Sequence, residues 1–459
     1  MRKIVSILMV VAIVVGALTI GVCAEDVTFV DMAEMIADEA NWIQGSANKK
    51  IEFKNGGVIC SPESTFGYQG KKFTNEIFEF DVDFGDMAEG RKWGAFSFRA
   101  DKPDTHPMWN YARAYSFIFR PTFIELQVRG AGNDSGGLGC YPCDEIKTGE
   151  TVRVKFGAVN VKNGVQVFLF VNGKQVINYY HAGTENMREG GYFSVFNVNN
   201  TVTITPVSTK ETKNVNPIVS EFEITRNDKT LELSYSTMYG DVEDITYGWY
   251  LSDKPVIDIL LNDICTEGFY DSLKAVSTET KLELDDKCAG KHIFAAVKTK
   301  DYILFSNSIN YSNMEHHLNK GIYMLADYER MYLNGKIVPV DENDNHVAPS
   351  YFDGEILFVP LRAVAEALNG EVVWDGATKA VSVKSGTKET KINIGTLNGG
   401  LTKEPFIDRG RTYVAFDDLQ ILLTGEFTVA EDGFIIVNNP DCPEDAIKEL
   451  KENLEYNKE

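Results

Sequence analysis

The sequence predicts a mainly β, multidomain chain: a large two-sheet β-sandwich, a smaller all-β unit, and an α+β module of two β-α-β-β repeats. Three observations carry this. From Asp26 to about Val207, short period-two segments alternate with turn signals every ten or so residues, the pattern of a sandwich. Residues 217–311 show the same pattern on a smaller scale. The syntax of residues 355–383 then returns at 411–437. At 459 residues the chain is long for one core, and three domains is the natural division.

At the N-terminus, Arg2-Lys3 precede an apolar run from Ile4 to Val22, and Val22-Cys23-Ala24 offers a small-residue cleavage site before Glu25-Asp26. Residues 1–24 therefore read as a signal peptide. Val22 stands where a lipid-attachment site needs Gly or Ala before Cys23. The run is near the lower limit for crossing a bilayer, and no later segment is long and apolar enough to span one. The expectation is an exported, extracellular chain with no integral membrane segment after cleavage. With 45 Lys and Arg against 67 Asp and Glu, the formal charge is −22. That argues against nucleic acid and anionic membrane surfaces as partners, since both need basic patches.

Cys60, Cys140, Cys143, Cys265, Cys288 and Cys442 follow the leader. Export permits disulfides, but pairing is open from sequence. Cys265 with Cys288 is the expected pair because both lie in one short domain. The bond would close a loop of about two dozen residues and contribute roughly 3 kcal/mol in the chain-entropy model. Cys140-Tyr141-Pro142-Cys143 lacks a βαβ context for redox chemistry and reads as a loop staple, or as partners for other cysteines such as Cys60.

Within 26–207, Phe78-Glu79-Phe80-Asp81-Val82-Asp83-Phe84 and Thr151-Val152-Arg153-Val154-Lys155-Phe156 alternate strictly. Gln166 to Val171 meets Gln175-Val176-Ile177 across Asn172-Gly173-Lys174, a hairpin signal. Only Asp31 to Ala40 reads as a helix. A polar linker is expected at Ser208–Val215 and a second at Ser312–Lys320. Residues 321–438 hold the repeats: Phe358-Val359-Pro360 runs into an apolar stripe of Leu361, Val364, Ala365 and Leu368, ended by the C-cap pair Asn369-Gly370. Residues 439–459 read as a charged, solvated or partly frayed helix.

Tyr332-Leu333-Asn334-Gly335-Lys336, Phe358-Val359-Pro360-Leu361-Arg362 and Val373-Trp374-Asp375 resemble the stalk domain named after the N-terminal domain of copper amine oxidases, common in exported proteins of Gram-positive bacteria. The resemblance covers roughly 330–437; the second copy has Ala415-Phe416-Asp417 and Val429-Ala430 in place of the Pro-Leu-Arg and Trp-Asp elements. It implies an appendage and no copper or quinone, so no cofactor is expected and the chain is not an amine oxidase. Thr246-Tyr247-Gly248-Trp249-Tyr250 and Gly290-Lys291-His292-Ile293 resemble a bacterial immunoglobulin-like domain, in which Trp249 would be a core plug and the unit a spacer. Trp93-Gly94-Ala95-Phe96-Ser97-Phe98-Arg99, Tyr115 to Phe119 and Gly191 to Asn197 resemble concanavalin A-like lectin/glucanase sandwiches, implying a jelly-roll that hosts lectins and glycosidases alike.

Sugar recognition needs an aromatic face and planar polar groups on one surface. Arg99 ends one strand, Trp109 lies in the loop after it, and Glu125, Gln127 and Arg129 share one strand face. These five residues form the candidate glycan site; the alternative is a solvated sheet face with Trp109 packing a loop. Glu79, Asp81 and Asp83 approach the Glu-x-Asp-x-x-Glu pattern of laminarinase-type enzymes, but Phe84 stands where an acid/base is needed. Asp341-Glu342-Asn343-Asp344-Asn345 has His346 and Phe352 where a calcium loop needs Gly and Glu, so no metal is expected there. The reading is a non-catalytic glycan- or cell-wall-binding protein with a displayed lectin-like head. The alternatives are a carbohydrate-active enzyme and a structural or protein-binding surface protein.

Overall fold

The computed structural model describes residues 27–45, 51–87, 91–104, 113–130, 136–207, 214–341 and 349–456. The expected signal peptide, Trp109, most of the expected linker at 208–215 and the Glu342–Asn345 part of the acidic loop lie outside the described residues. The chain forms two compact units: residues up to Leu284 with Lys291–Asn310, and Asp285–Gly290 with Tyr311 onward.

In the first unit, an eight-stranded and a seven-stranded antiparallel sheet face each other. The eight-stranded sheet runs in the order Lys174–Ala182, Gly164–Val171, Thr151–Val161, Glu76–Asp83, Val202–Pro206, Gly57–Cys60 and Ile51–Lys54, with Thr28–Phe29 added in parallel to Glu76–Asp83. The other runs Gly136–Pro142, Phe123–Arg129, Ala114–Phe119, Trp93–Ala100, Gly191–Val198, Ser64–Phe73 and Trp42–Gln44. Sequence neighbours are often not sheet neighbours, so the chain crosses between sheets as a jelly-roll does. Strict alternation sends Phe78, Phe80 and Val82 inward, where Phe78 stacks on Phe156 at 5.1 Å and Phe80 meets Phe96 edge-on at 5.1 Å. The expected helix is Met32–Ala37, capped by Asp31, whose carboxylate accepts from the Ala33 and Glu34 amides at 3.1 and 3.0 Å.

The strands of 218–311 make two three-stranded sheets, Ile218–Asn227 with Thr230–Met238 and Lys281–Glu283, and Thr246–Ser252 with Lys291–Lys298 and Ile303–Tyr311. Trp249 is fully buried between them, its Nε1–H donating to the Glu279 carbonyl at 2.8 Å. The unit is not all β. Pro255 opens a helix, Val256–Asn262, which buries Val256, Ile259 and Leu260 at helical spacing. The unit also covers the outer face of the eight-stranded sheet. Ile77, Val159, Val161, Phe168 and Phe170 pack with Ile218 and Met238, and Asn178 Nδ2 donates to the Val219 carbonyl at 2.8 Å.

In the second unit the repeat is visible as β-α-β-β twice. Ile356–Pro360, helix Leu361–Ala367 and the hairpin Glu371–Asp375/Ala380–Ser385 form one copy. Arg411–Ala415, helix Leu419–Leu422 and Phe427–Val429/Phe434–Val437 form the other. The two leading strands pair antiparallel, Phe358 opposite Ala415, while each hairpin joins a different sheet. The first helix ends as expected: Asn369 takes the left-handed conformation (φ 57°) and the Gly370 amide donates to Ala365 O at 2.7 Å. Two expectations are corrected. The linker at Ser312–Lys320 contains a helix, Asn313–Leu318, because the Ser312 hydroxyl accepts from the Glu315 amide at 3.0 Å. The C-terminal helix, Glu444–Tyr456, is docked rather than solvated: Ala446, Leu450 and Leu454 fall on one stripe against Tyr323, Leu325 and Phe434.

Candidate functional site

With one sheet of the sandwich covered by the middle unit, the outward face of the seven-stranded sheet is the surface on which the sequence places its polar row. Two cross-strand rows build it. One is Phe196, Ala95, Ile118, Glu125 and Cys140; the next is Ser194, Ser97, Ser116, Gln127 and Gly137. Small side chains fill the middle of the second row, and Ser97 and Ser116 bond hydroxyl to hydroxyl at 2.8 Å. The strand Phe123–Arg129 sends Ile124, Leu126 and Val128 into the core, so Glu125, Gln127 and Arg129 share the outward face as the two-residue period requires.

Glu125 is held from two sides. Arg120 Nε–H donates to its Oε1 at 2.8 Å, and Gln127 Nε2–H donates to its Oε2 at 3.0 Å. The Arg120 guanidinium lies 5.3 Å from the Trp93 ring centroid, and Trp93 packs on Phe196 at 5.3 Å. Sequence reasoning missed Arg120, although the outward series Ser116, Ile118, Arg120 contains it. Gln127 Oε1 and Arg129 Nε are buried without a hydrogen-bond partner. Each such atom costs about 1–3 kcal/mol relative to a satisfied one.

Arg99 is not on this face. Regular alternation would turn it outward after Ala95 and Ser97, but the ladder to Gly191–Val198 shifts register there and Arg99 adopts a left-handed backbone (φ 52°). Its guanidinium turns in and is 2 % exposed. Nε and Nη2 donate to Thr74 O at 3.1 and 2.6 Å, Nη1 to Asn160 Oδ1 and Met187 O at 2.7 Å each, and Nη2 also to Ala158 O and Asn75 Oδ1. Burial pushes its pKa down to about 10. Arg99 ties the two sheets together and has no donor left for a ligand.

The acidic strand lies on the opposite sheet. Glu79 pairs with Lys155 at 3.1 Å, Asp81 with Arg153 at 2.9 Å, and Asp83 accepts from the Gly85 amide at 2.7 Å. These carboxylates are occupied on an outward polar face, and Phe84 is buried against Phe119. Among the described residues, no three His, Cys, Asp or Glu side chains gather as metal ligands.

The expected staple through Cys140 and Cys143, to each other or to Cys60, is not formed: all three are free thiols. Cys140 lies on the outward row beside Glu125, while Cys143 is buried in the sandwich core. The expected Cys265–Cys288 bond is not formed. Cys265 is a free thiol whose Sγ–H donates to the Cys140 carbonyl at 3.4 Å, and Cys288 belongs to the other compact unit.

A family model described as the copper amine oxidase N-terminal domain matches residues 332–428. No curated protein matches the chain. Among solved structures, a protein of unknown function with a galectin-like fold from Bacillus subtilis is similar at 14% identity, covering 37% of this chain and 89% of that one, with a TM-score of 0.28. Alginate lyase Aly36B is similar at 12% identity, over 42% of this chain and 95% of that one, with a TM-score of 0.27. The Ca2+/Man3GlcNAc-bound exoplasmic/lumenal domain of VIP36 is similar at 9% identity, over 38% and 86%, with a TM-score of 0.26.

Proposed function

We propose that this is an exported, non-catalytic carbohydrate-binding protein whose ligand face is the outward side of the seven-stranded sheet, centred on Glu125, Gln127 and Arg129. One observation carries the reading: Gln127 Oε1, an acceptor, and Arg129 Nε, a donor, stand unpartnered beside the oriented Glu125 carboxylate. A sugar hydroxyl is both donor and acceptor and can satisfy such a set. Trp93 and Phe196 are buried in the neighbouring row and back the face rather than lining it. The middle unit, read as an immunoglobulin-like spacer, and the stalk-type repeats would display this head outside a bacterial cell.

A glycan array with the full chain, followed by calorimetric titration of the best ligand, tests the assignment. Gln127→Ala is expected to weaken binding about tenfold, the loss of one ligand hydrogen bond at about 1.4 kcal/mol. Glu79→Gln, on the opposite sheet, should bind as the wild type does. Equal affinity in Gln127→Ala and wild type would move the site elsewhere, and an array without a bound glycan would overturn the function.

A further inference from the structure

The helix Val256–Asn262 of the middle unit seats on the edge strand Gly136–Pro142 of the seven-stranded sheet. Gly137 makes the approach possible: a Cβ there would lie 2.6 Å from Leu261 Cδ2. Past the helix, the Ile264 amide bonds back to Ile259 O at 3.0 Å and the buried Ile264 side chain anchors the turn, which leaves Cys265 exposed at the strand. Its Sγ is 3.4 Å from the Cys140 carbonyl oxygen. A carbonyl oxygen lies about 2.4 Å from its own Cα, so the Cys265 sulfur is within about 6 Å of the Cys140 Cα. The Cys140 sulfur hangs from that Cα on the outward row that Cys265 borders, so side-chain rotation with a small shift of the exposed Cys265 turn can bring the two sulfurs into bonding distance. The other cysteines of the sandwich cannot compete for Cys265: Cys60 and Cys143 are buried in its core.

We propose that Cys140 and Cys265 form a disulfide, by exchange with a low-molecular-weight disulfide, that staples the middle unit to the edge of the sandwich beside Glu125. One cysteine thiolate attacks a sulfur of the external disulfide and expels one small thiolate, giving a mixed disulfide. The second cysteine thiolate attacks the protein sulfur of that mixed disulfide and expels the other. The two protons lost by the cysteines end on the two small thiols, so the protein pair is oxidised by two electrons and one external disulfide is reduced. The bond would enclose the 125-residue separation of the two cysteines, a long loop whose closure restricts the unfolded chain strongly. Partial burial, and then the charge of Cys140, push the Cys265 thiol up to about 11. Reaction is therefore slow at neutral pH and accelerates about tenfold per pH unit until the thiolate predominates.

The test needs no ligand and so stands apart from the carbohydrate reading. The full-length protein is incubated with oxidised glutathione at pH 7 and 8.5, remaining thiols are alkylated, and peptides are mapped without reduction. A Cys140–Cys265 peptide forming more than tenfold faster at pH 8.5 is expected. With it comes a rise of roughly 5 °C in the first unit's melting temperature that Cys265→Ser abolishes. A Cys140–Cys143 peptide, a stable glutathione adduct on Cys265, or a cross-link without thermal shift would overturn the staple.

Discussion

Arg99 shows how one side chain can be read correctly as special and wrongly as a ligand. Its position at the end of a polar, aromatic-rich strand is what a binding arginine would have. A left-handed backbone turns it inward instead, where it serves carbonyls of Thr74, Ala158 and Met187. Replacing it with Met would strand those buried acceptors, each worth about 1–3 kcal/mol. Arg99→Met is therefore expected to lose about 3 kcal/mol or more in urea unfolding, with any glycan affinity unchanged once folded. Glu125, Gln127 and Arg129 were legible because period two alone places them together. Arg120 was legible by the same rule.

At the scale of elements, the misread segments are those whose local signals were weak or interrupted. The C-terminal helix is rich in charge, yet Ala446, Leu450 and Leu454 recur at every fourth position and find a partner in the Tyr323–Phe434 cluster. The fate of such a narrow stripe depends on whether a complementary surface exists. Leu450→Ala is expected to cost about 3 kcal/mol by leaving a cavity in that contact. A change below about 0.5 kcal/mol in denaturant unfolding would mean that the helix is not docked in solution. The helix at Asn313–Leu318 had a readable cap in Ser312 and Glu315, but its polar composition hid it. The hairpin Gly164–Val171/Lys174–Ala182, turning at Asn172 (φ 50°) and Gly173 (φ 82°), was visible because its turn chemistry is local.

For the whole molecule, two compact units with separate cores predict separate cooperativity. Scanning calorimetry should resolve two transitions. Arg99→Met is expected to lower only the one belonging to the sandwich-bearing unit, and Leu450→Ala only the other. A single transition shifted equally by both substitutions would show the units to unfold together.

The alternation of apolar and polar residues, the hairpin turns and the repeated β-α-β-β syntax determined by themselves that this chain is mainly β and multidomain and carries a repeated β-α-β-β module. These are short-range signals, carried by the pleat and by turn residues. Which outward face is covered was decided only in three dimensions: the alternating acids of Glu76–Asp83 and the polar row of Phe123–Arg129 look alike in sequence. The first lies on the sheet whose apolar patch, Ile77 with Val159, Val161, Phe168 and Phe170, packs on strands of the middle unit; the second meets that unit only at its edge strand, Gly136–Pro142. The proximity of Cys265 to Cys140, 125 positions apart, was equally out of reach, because it depends on how an inserted helix meets a glycine-lined strand.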